Sequence, residues 1–243
     1  MEAASSPATL SGKLWRNSLL VALANFSFFV VYMYFLDNGF TLSSFTKTFA
    51  GTANFLFAMS LSLSSVGYYF NFLDSKIVYR KYLGLLGYFS ALAYSLLLLA
   101  VNPDRYFYGF FENFWSSDIL LGLASMALFT GMALISNDQA MRFIGPLRWR
   151  SFLRWAGHTA FFLLVVRAVI NNTEPIGVGE PEMWVQYLAH PDGLLPPRLL
   201  FSLVAMAVIF LRLSIEFDKW RKHKAPPAPP SSVQPVPPAP SSP

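Results

Sequence analysis

Cysteine is absent from this chain of 243 residues, and histidine and charged residues are scarce. Without thiols, the protein forms no disulfide bond and offers no thiolate to zinc or to an iron–sulfur cluster. Only 13% of the residues are charged, whereas soluble domains carry about 25%. The three histidines, His158, His190 and His223, are far apart in the sequence. These shortages argue against a soluble enzyme and against a site built from facing histidines.

Familiar catalytic motifs are also missing. The sequence contains no GxGxxG, no P-loop, no HExxH and no GxSxG in a strand-to-helix context. No pair of acidic residues lies inside an apolar stretch, so carboxylate catalysis and acid-driven proton relays lack their residues. Catalysis is therefore not expected.

Long apolar stretches dominate the chain instead. Hydrophobic residues make up 54% of it, and the mean hydropathy is +0.44. Because a helix of about 20 apolar residues crosses the hydrocarbon core of a bilayer, these stretches predict an all-α membrane bundle of six helices. The stretches lie at roughly 16–36, 49–70, 82–101, 119–136, 152–170 and 197–215.

The basic residues indicate how this bundle is oriented. Lysine and arginine in short loops stay on the cytoplasmic side of a membrane. If both termini are cytoplasmic, only Lys47, Arg105, Arg167 and Arg198 lie outside, which leaves 14 of the 18 basic residues inside. The formal net charge of +5 is then explained by orientation, and nucleic-acid binding is not expected.

The chain is predicted to have one membrane domain between two disordered segments. Residues 1–15 form a cytoplasmic N-terminus, 16–216 the membrane domain, and 217–243 a tail that is first basic and then Pro-rich. The long outer connection at 171–196 contains Met183–Leu188. This segment is predicted to lie as a short helix at the membrane interface, either as an aromatic belt or as a lid.

The second apolar stretch is rich in small and hydroxyl-bearing residues, among them Gly51, Ala53, Ser60 and Gly67. Small residues let neighbouring helices approach closely, and hydroxyl groups form hydrogen bonds across helices or to their own helix. This helix is predicted either to pack tightly at the centre of the bundle or to form the wall of a polar cavity.

Three motifs occur in a set order along the chain. The basic pair Arg80 and Lys81 precedes the sequence LGL, the fourth stretch ends in ISND, and Gly145 is followed by Arg148 and Trp149. In these features the chain resembles the ferric reductase-like transmembrane domain. Within that family it is most similar to the haem-binding membrane subunit that partners the periplasmic methionine sulfoxide reductase. The resemblance covers 16–170 in topology and implies a multi-pass protein of the bacterial inner membrane.

The resemblance also implies where haem would bind. The family ligates b-type haem through histidines, and the corresponding positions here are Tyr94, Leu153 and Val166. Haem is therefore not expected, and the chain is interpreted as a bundle that has lost its haem ligands. The alternative is a haem- or quinone-binding electron-transfer protein that uses His158. Its methionine partner on a haem would be Met59, Met126 or Met132.

His158 and Tyr88 are predicted to lie at equal depth on the fifth and third helices, so a hydrogen bond between them is expected. Ionisable groups inside a membrane are candidates for functional sites. The pair is either a proton or ligand site, or a neutral histidine satisfied by a hydroxyl group. His158, Tyr88 and Tyr94 are the candidate cofactor-binding residues, and no metal site is expected.

The last prediction concerns contacts with other proteins. Aromatic residues make up 17% of the chain and offer contact area to membrane subunits, pigments or quinones. The predicted function is a non-catalytic accessory or scaffolding subunit of a larger membrane complex, such as an electron-transfer or photosynthetic one. Bound lipid or pigment is a further prediction. The predicted partner contacts are Phe26, Phe29, Phe201, Phe210, Lys219, Arg221 and Lys222.

Overall fold

The structure, a computed structural model, describes residues 7–70, 76–173 and 194–224. Every regular element in these ranges is helical, which confirms the all-α prediction for this part of the chain. A single π-helical turn at Asp104–Tyr108 precedes α4. The helices are α1 (Pro7–Leu36), α2 (Leu42–Tyr69), α3 (Tyr79–Val101), α4 (Phe110–Asn113), α5 (Ser117–Ile135), α6 (Asp138–Ile144), α7 (Pro146–Thr173) and α8 (Pro197–Lys224).

Five helices in the described ranges are long and apolar enough to cross a membrane, namely α1, α2, α3, α7 and α8. α5 is shorter, and its apolar part covers only Ile119–Ile135. Helix length and composition therefore identify a multi-pass membrane protein. Of the six predicted spans, α5 is the one that these two criteria leave open.

Hydrogen bonds between helices show which helix ends lie together. Asn17, near the start of α1, donates to Tyr79 at the start of α3, with a distance of 3.0 Å. Tyr68, near the end of α2, donates to Asp218 near the end of α8, with a distance of 2.8 Å. We call the end of the bundle where α1, α3 and α7 begin and where α2, α5 and α8 end the basic end. The other end is called the opposite end.

α2 lies at the centre of the bundle and packs against α1, α3 and α8. A capping box between Thr41 and Ser44 fixes its first turn. The buried hydroxyl group of Thr48 donates to a carbonyl one turn earlier at 2.9 Å, so it needs no partner from another helix. A Cβ atom at Gly51 would lie only 2.5 Å from the ring of Phe29 on α1. The prediction of tight packing by small residues is confirmed at this position.

Aromatic rings fill much of the core. The rings of Phe57 on α2 and Phe129 on α5 stack in parallel, with their centroids 4.0 Å apart. Phe161 on α7 and Phe201 on α8 meet edge to face at 6.1 Å. Ala160 is fully buried beside them and keeps α7 close to its neighbours. Since lipid tails are as apolar as these side chains, close packing of this kind supplies much of the attraction between membrane helices.

α1 begins earlier than the sequence predicted. Residues 7–15, predicted to be disordered, form its first turns. Pro7 suits the first position of a helix, because its ring fixes φ and the missing N–H would have no partner there. The ring of Trp15 packs edge-on against Tyr82 of α3, with centroids 5.0 Å apart. The predicted boundary at residue 16 is therefore wrong.

α8 continues further than predicted. Residues 217–224, which were assigned to a disordered tail, belong to the helix. Ion pairs between residues one turn apart stabilise this polar extension. They are Arg212–Glu216, Lys219–Glu216 and Lys222–Asp218. The predictions for 1–6, for the Pro-rich segment 225–243 and for Met183–Leu188 lie outside the described residues.

The segment between α5 and α7 contains the short helix α6, which Asn137 caps with its side chain. Gly145 follows α6 with a φ of +89°, a conformation that glycine adopts without strain, and Pro146 begins α7. The indole N–H of Trp149 donates to the carbonyl of Ile135 at 2.8 Å. This bond joins the start of α7 to the end of α5.

Candidate functional site

A large cavity lies in the half of the bundle that is near the opposite end. Its volume is about 940 Å³, and its wall is formed by α1, α2, α3, α5, α7 and the start of α8, with the segment before α5. Small-molecule sites in proteins have volumes of about 300–1,000 Å³. The cavity is therefore large enough for a lipid-like molecule.

Most of the cavity wall is apolar. Phe57 and Phe129, the stacked pair in the core, are its lining residues nearest the basic end. Phe29 on α1 and Phe201 on α8 also line it. An aromatic wall of this kind suits an acyl chain, an isoprenoid chain or a planar ring.

Arg167 places a positive charge in this wall. It lies near the end of α7 and is half-buried. Its guanidinium group lies over Gly122 of α5, where a Cβ atom would be 3.2 Å from Nη1 and 3.3 Å from Cζ. Gly122 thus leaves room for the guanidinium group. Arginines inside membranes almost always face the bundle interior or a water-filled cavity, and Arg167 follows that rule.

Uncharged polar groups also line the cavity. Tyr94 on α3 contributes a phenol, and Asn54 on α2 contributes a carboxamide. Ser95 and Ser125 line it as well, but their hydroxyl groups donate to carbonyls of their own helices at 2.9 and 2.7 Å. The side-chain groups of the wall that can form hydrogen bonds to the head of a ligand include the phenols of Tyr94 and Tyr106, the carboxamide of Asn54 and the guanidinium group of Arg167.

Lys47 lines the cavity near the start of α2, and its charge is balanced. Its Nζ lies 3.0 Å from each carboxylate oxygen of Asp37, which also accepts a hydrogen bond from Ser44 at 2.7 Å. Burial alone would raise the pKa of Asp37. The hydrogen bonds from Ser44 and Lys47 and the charge of Lys47 outweigh burial and lower the pKa of Asp37 below its ordinary value.

The structure does not bring the three predicted cofactor-binding residues together. Tyr94 lines the large cavity, whereas His158 lines a smaller groove of about 180 Å³ in the other half of the bundle. His158 Nδ1 is 2.6 Å from the carbonyl oxygen of Arg154, one turn earlier on α7. The hydroxyl group of Tyr88 is 3.3 Å from that of Thr130 on α5. The predicted His158–Tyr88 hydrogen bond is wrong, because each side chain has a different partner.

The donor groups do not fit a haem with two axial ligands. A low-spin haem needs two strong ligands that face each other across one space. As possible axial ligands the large cavity offers the phenols of Tyr94 and Tyr106 and the thioether of Met126, and His158 lies in the separate groove. Within the described ranges, no group of three or more His, Asp or Glu residues is placed to hold a metal ion.

The predicted aromatic contacts fall into two groups. Phe29 and Phe201 are 1% and 6% exposed, so their assignment to an outer surface is wrong, because both side chains point into the bundle and line the large cavity. Phe26 is half-buried against the ring of Phe49, with centroids 5.1 Å apart. Phe210 is 67% exposed, and its contact with a partner stays a prediction.

The predicted basic contacts lie on the exposed last turns of α8. Lys219 pairs with Glu216 at 3.2 Å, and Lys222 pairs with Asp218 at 2.7 Å. Arg221 lies 3.9 Å from the other carboxylate oxygen of Asp218. Nearby acids therefore offset part of the positive charge here, and the role of these residues in binding a partner stays a prediction.

Comparisons with known proteins do not assign this chain to a family. No protein-family model and no curated protein matches the sequence. The ferric reductase-like resemblance therefore stays a prediction. The function has to be argued from the cavity and from the groups that line it.

Proposed function

We propose that this protein is a six-span membrane subunit that holds an amphipathic molecule, a lipid or a quinone, in the large cavity. In this proposal it acts through other membrane proteins and catalyses no reaction of its own. The observation that carries the proposal is the cavity of about 940 Å³ with an aromatic wall and a guanidinium group seated over Gly122.

The chemistry of the wall matches the two parts of such a molecule. The phenylalanine rings suit a chain or a ring without hydrogen-bonding groups. Arg167 and Tyr94 donate hydrogen bonds and therefore suit a head with acceptor oxygens, such as a phosphate, a carboxylate or a quinone carbonyl. Hydrogen bonds to charged groups are worth about 1.5–3 kcal/mol each, so Arg167 would supply much of the selectivity for the head group.

α5 is the sixth span in this proposal. Its 19 residues extend over about 28 Å, close to the roughly 30 Å of a hydrocarbon core. The concentration of basic residues at the basic end supports a cytoplasmic position for that end and for both termini. The large cavity then belongs to the outer half of the membrane.

The native absence of cysteine makes this orientation directly testable. Single cysteines introduced at Ser6 and at Ser232 are expected to react with a membrane-impermeant maleimide only after the cytoplasmic side is made accessible. Labelling of either position from the outer side would contradict the six-span arrangement. Asp104→Cys, in the connection between α3 and α5, serves as the control that should react from outside.

Binding in the cavity is tested by identifying what the protein carries. The full chain, purified in mild detergent, is expected to retain a lipid or quinone that solvent extraction and mass spectrometry detect at a stoichiometric amount. Arg167→Gln should lower the retained amount at least tenfold, because a charge-assisted hydrogen bond to the head is lost. The matched control is Lys81→Gln, an exposed cation at the basic end. Equal retention in both variants would contradict the proposal.

The second candidate is an electron-transfer protein. The observation that favours it is a phenol and a guanidinium group, those of Tyr94 and Arg167, in one cavity wide enough for a quinone ring. A quinone in the extract would support it, and a non-redox lipid would argue against it. Dithionite should produce no b-type haem bands. A stoichiometric haem spectrum that disappears in His158→Ala would instead establish a haem protein.

The accessory role is tested by association. The protein is expected to cross-link to a larger assembly in native membranes through exposed aromatic side chains. Phe210→Ala should reduce this cross-linking without a change in thermal stability, since Phe210 is 67% exposed. Phe107→Ala, at 64% exposure in the connection before α5, is the control. A protein that cross-links to nothing would contradict the accessory role.

A further inference from the structure

A second, smaller space lies in the half of the bundle near the basic end and is separate from the large cavity. It is a groove of about 180 Å³ between α7 and α8, with α2 as its floor. His158 and Arg212 contribute its polar groups, and Phe162 and Leu213 belong to its apolar wall. Phe162 and Leu213 are 59% and 58% exposed. The groove therefore opens towards the surface that membrane lipids would cover.

Three arginines from three helices lie at or beside this groove. Arg212 on α8 lines it, and Arg154 on α7 lies one turn from His158 towards the basic end. Arg80 at the start of α3 donates from Nη1 to Ser64 of α2 at 2.9 Å, and Ser64 directly precedes Ser65, which lines the groove. We call these three arginines and His158 the basic cluster.

Positive charge exceeds negative charge in this cluster. Glu216 pairs with Arg212 at 3.0 Å and is the one carboxylate among the described residues that forms an ion pair with these three arginines. Like charges repel strongly where water is partly excluded, so a bound anion would stabilise the cluster. Arg212 remains 32% exposed on its side chain and is accessible to such an anion.

We propose that this groove binds an anionic phospholipid, with its phosphate against Arg212, Arg154 and Arg80 and an acyl chain along Phe162 and Leu213. The proposal does not depend on what occupies the large cavity. Charge complementarity selects the head group, and the exposed apolar wall provides a surface for the chain. Basic pockets between membrane helices on the cytoplasmic side bind anionic head groups in this way. Nδ1 of His158 lies 2.6 Å from the carbonyl oxygen of Arg154, and His158 lines the groove beside Arg212.

The experiment measures lipid binding to the full chain in a neutral detergent by native mass spectrometry. Phosphatidylglycerol and phosphatidylcholine with identical acyl chains are compared. The wild-type protein should prefer phosphatidylglycerol at least tenfold, because hydrogen bonds between guanidinium groups and phosphate are charge-assisted. Arg212→Gln and Arg154→Gln should each reduce binding of phosphatidylglycerol about tenfold and leave phosphatidylcholine unchanged.

The controls separate this site from general attraction to a basic surface. Arg221→Gln lies on the same helix at 76% exposure and outside the groove, and it should change the preference little. Arg212→Lys and Arg154→Lys retain the charge and should keep most of the preference for phosphatidylglycerol. They show whether a loss in the glutamine variants comes from the missing charge or from misfolding. Three results would overturn the proposal: no preference for phosphatidylglycerol, an equal loss in Arg221→Gln, or displacement of the lipid by millimolar inorganic phosphate.

Discussion

The large cavity and the groove between α7 and α8 differ in how far their positive charges are balanced by carboxylates. In the cavity, Lys47 has Asp37 as a partner at 3.0 Å, and the guanidinium group of Arg167 lies over Gly122. At the groove, Arg212 pairs with Glu216, and no ion pair is seen for Arg154 or Arg80 among the described residues. The cavity thus combines a paired lysine at its rim with a large volume, and the groove combines an excess of positive charge with a much smaller volume.

This difference predicts which property of a ligand each region would select. Shape and aromatic packing dominate in a large cavity, so its ligand is selected mainly by size and by one head-group contact. The groove has much less volume and lies among basic residues, so its ligand is selected mainly by the charge of its head group. Substitutions that alter shape should therefore affect the cavity alone.

The largest expected effect comes from filling the space under Arg167. Gly122→Leu should displace the guanidinium group, since even a Cβ atom would lie 3.2 Å from Nη1. We expect at least a tenfold loss of the molecule retained in the cavity, measured by extraction and mass spectrometry. Gly131→Leu on the same helix is the matched control, because a Cβ atom there meets nothing within 4 Å.

Unchanged phosphatidylglycerol binding at the groove in Gly122→Leu would support two independent sites. Loss of both ligands together would show that the two regions form one site. Thermal unfolding of both leucine variants shows whether the fold is kept.

A smaller effect is expected on stability. Gly51→Ala places a Cβ atom 2.5 Å from the ring of Phe29, and overpacking of this kind costs about 1–3 kcal/mol. Gly12→Ala on α1 meets nothing within 4 Å and should be neutral or stabilising, because alanine favours a helix over glycine by about 0.5–1 kcal/mol. Thermal unfolding in detergent measures both. Equal melting temperatures of the two variants would contradict overpacking at Gly51 and show that the ring of Phe29 moves aside at little cost.

The smallest effect is a pH dependence at the rim of the cavity. The folded state lowers the pKa of Asp37, so its ion pair stabilises the fold above the unfolded pKa of about 3.9 and loses this effect as the pH falls through the folded pKa. Asp37→Asn should cost less than about 1 kcal/mol at pH 7, as expected for an exposed pair. The difference from wild type in thermal unfolding should shrink below pH 4. A difference that is constant between pH 7 and pH 3 would contradict the pairing.

The helices were largely predictable, because apolar length is a local property of the sequence. The errors at the ends of α1 and α8 have local causes that hydropathy does not report: the packing of Trp15 on Tyr82, and ion pairs one turn apart such as Lys222–Asp218. Gly145 followed by Pro146 was a signal for the break between α6 and α7, since this pair commonly ends one helix and begins another.

The sites were much less predictable, because they depend on which faces of the helices meet. Phe29 and Phe201 were assigned to the outside because composition alone does not fix the rotation of a helix. The sequence placed Arg167 only among the outer basic residues, and its position over Gly122 shows that it belongs to a cavity. A lone arginine in one span and a glycine in another were the available signals. Hydropathy gave no reason to connect them.

The hydrogen bonds from side-chain hydroxyl groups to carbonyls of the same helix affect how the helices insert into the membrane during synthesis. α2 is the least apolar of the five long helices, yet the hydroxyl of Thr48 is already satisfied by its own backbone, as are those of Ser125 and Thr130 on α5. Side chains bonded in this way present less polarity to lipid than residue scales assign to them. During synthesis, the translocon would therefore release α2 more readily than its composition indicates, with the strongly apolar α1 ahead of it and α3 behind. We expect α1 and α2 to enter the bilayer as a hairpin.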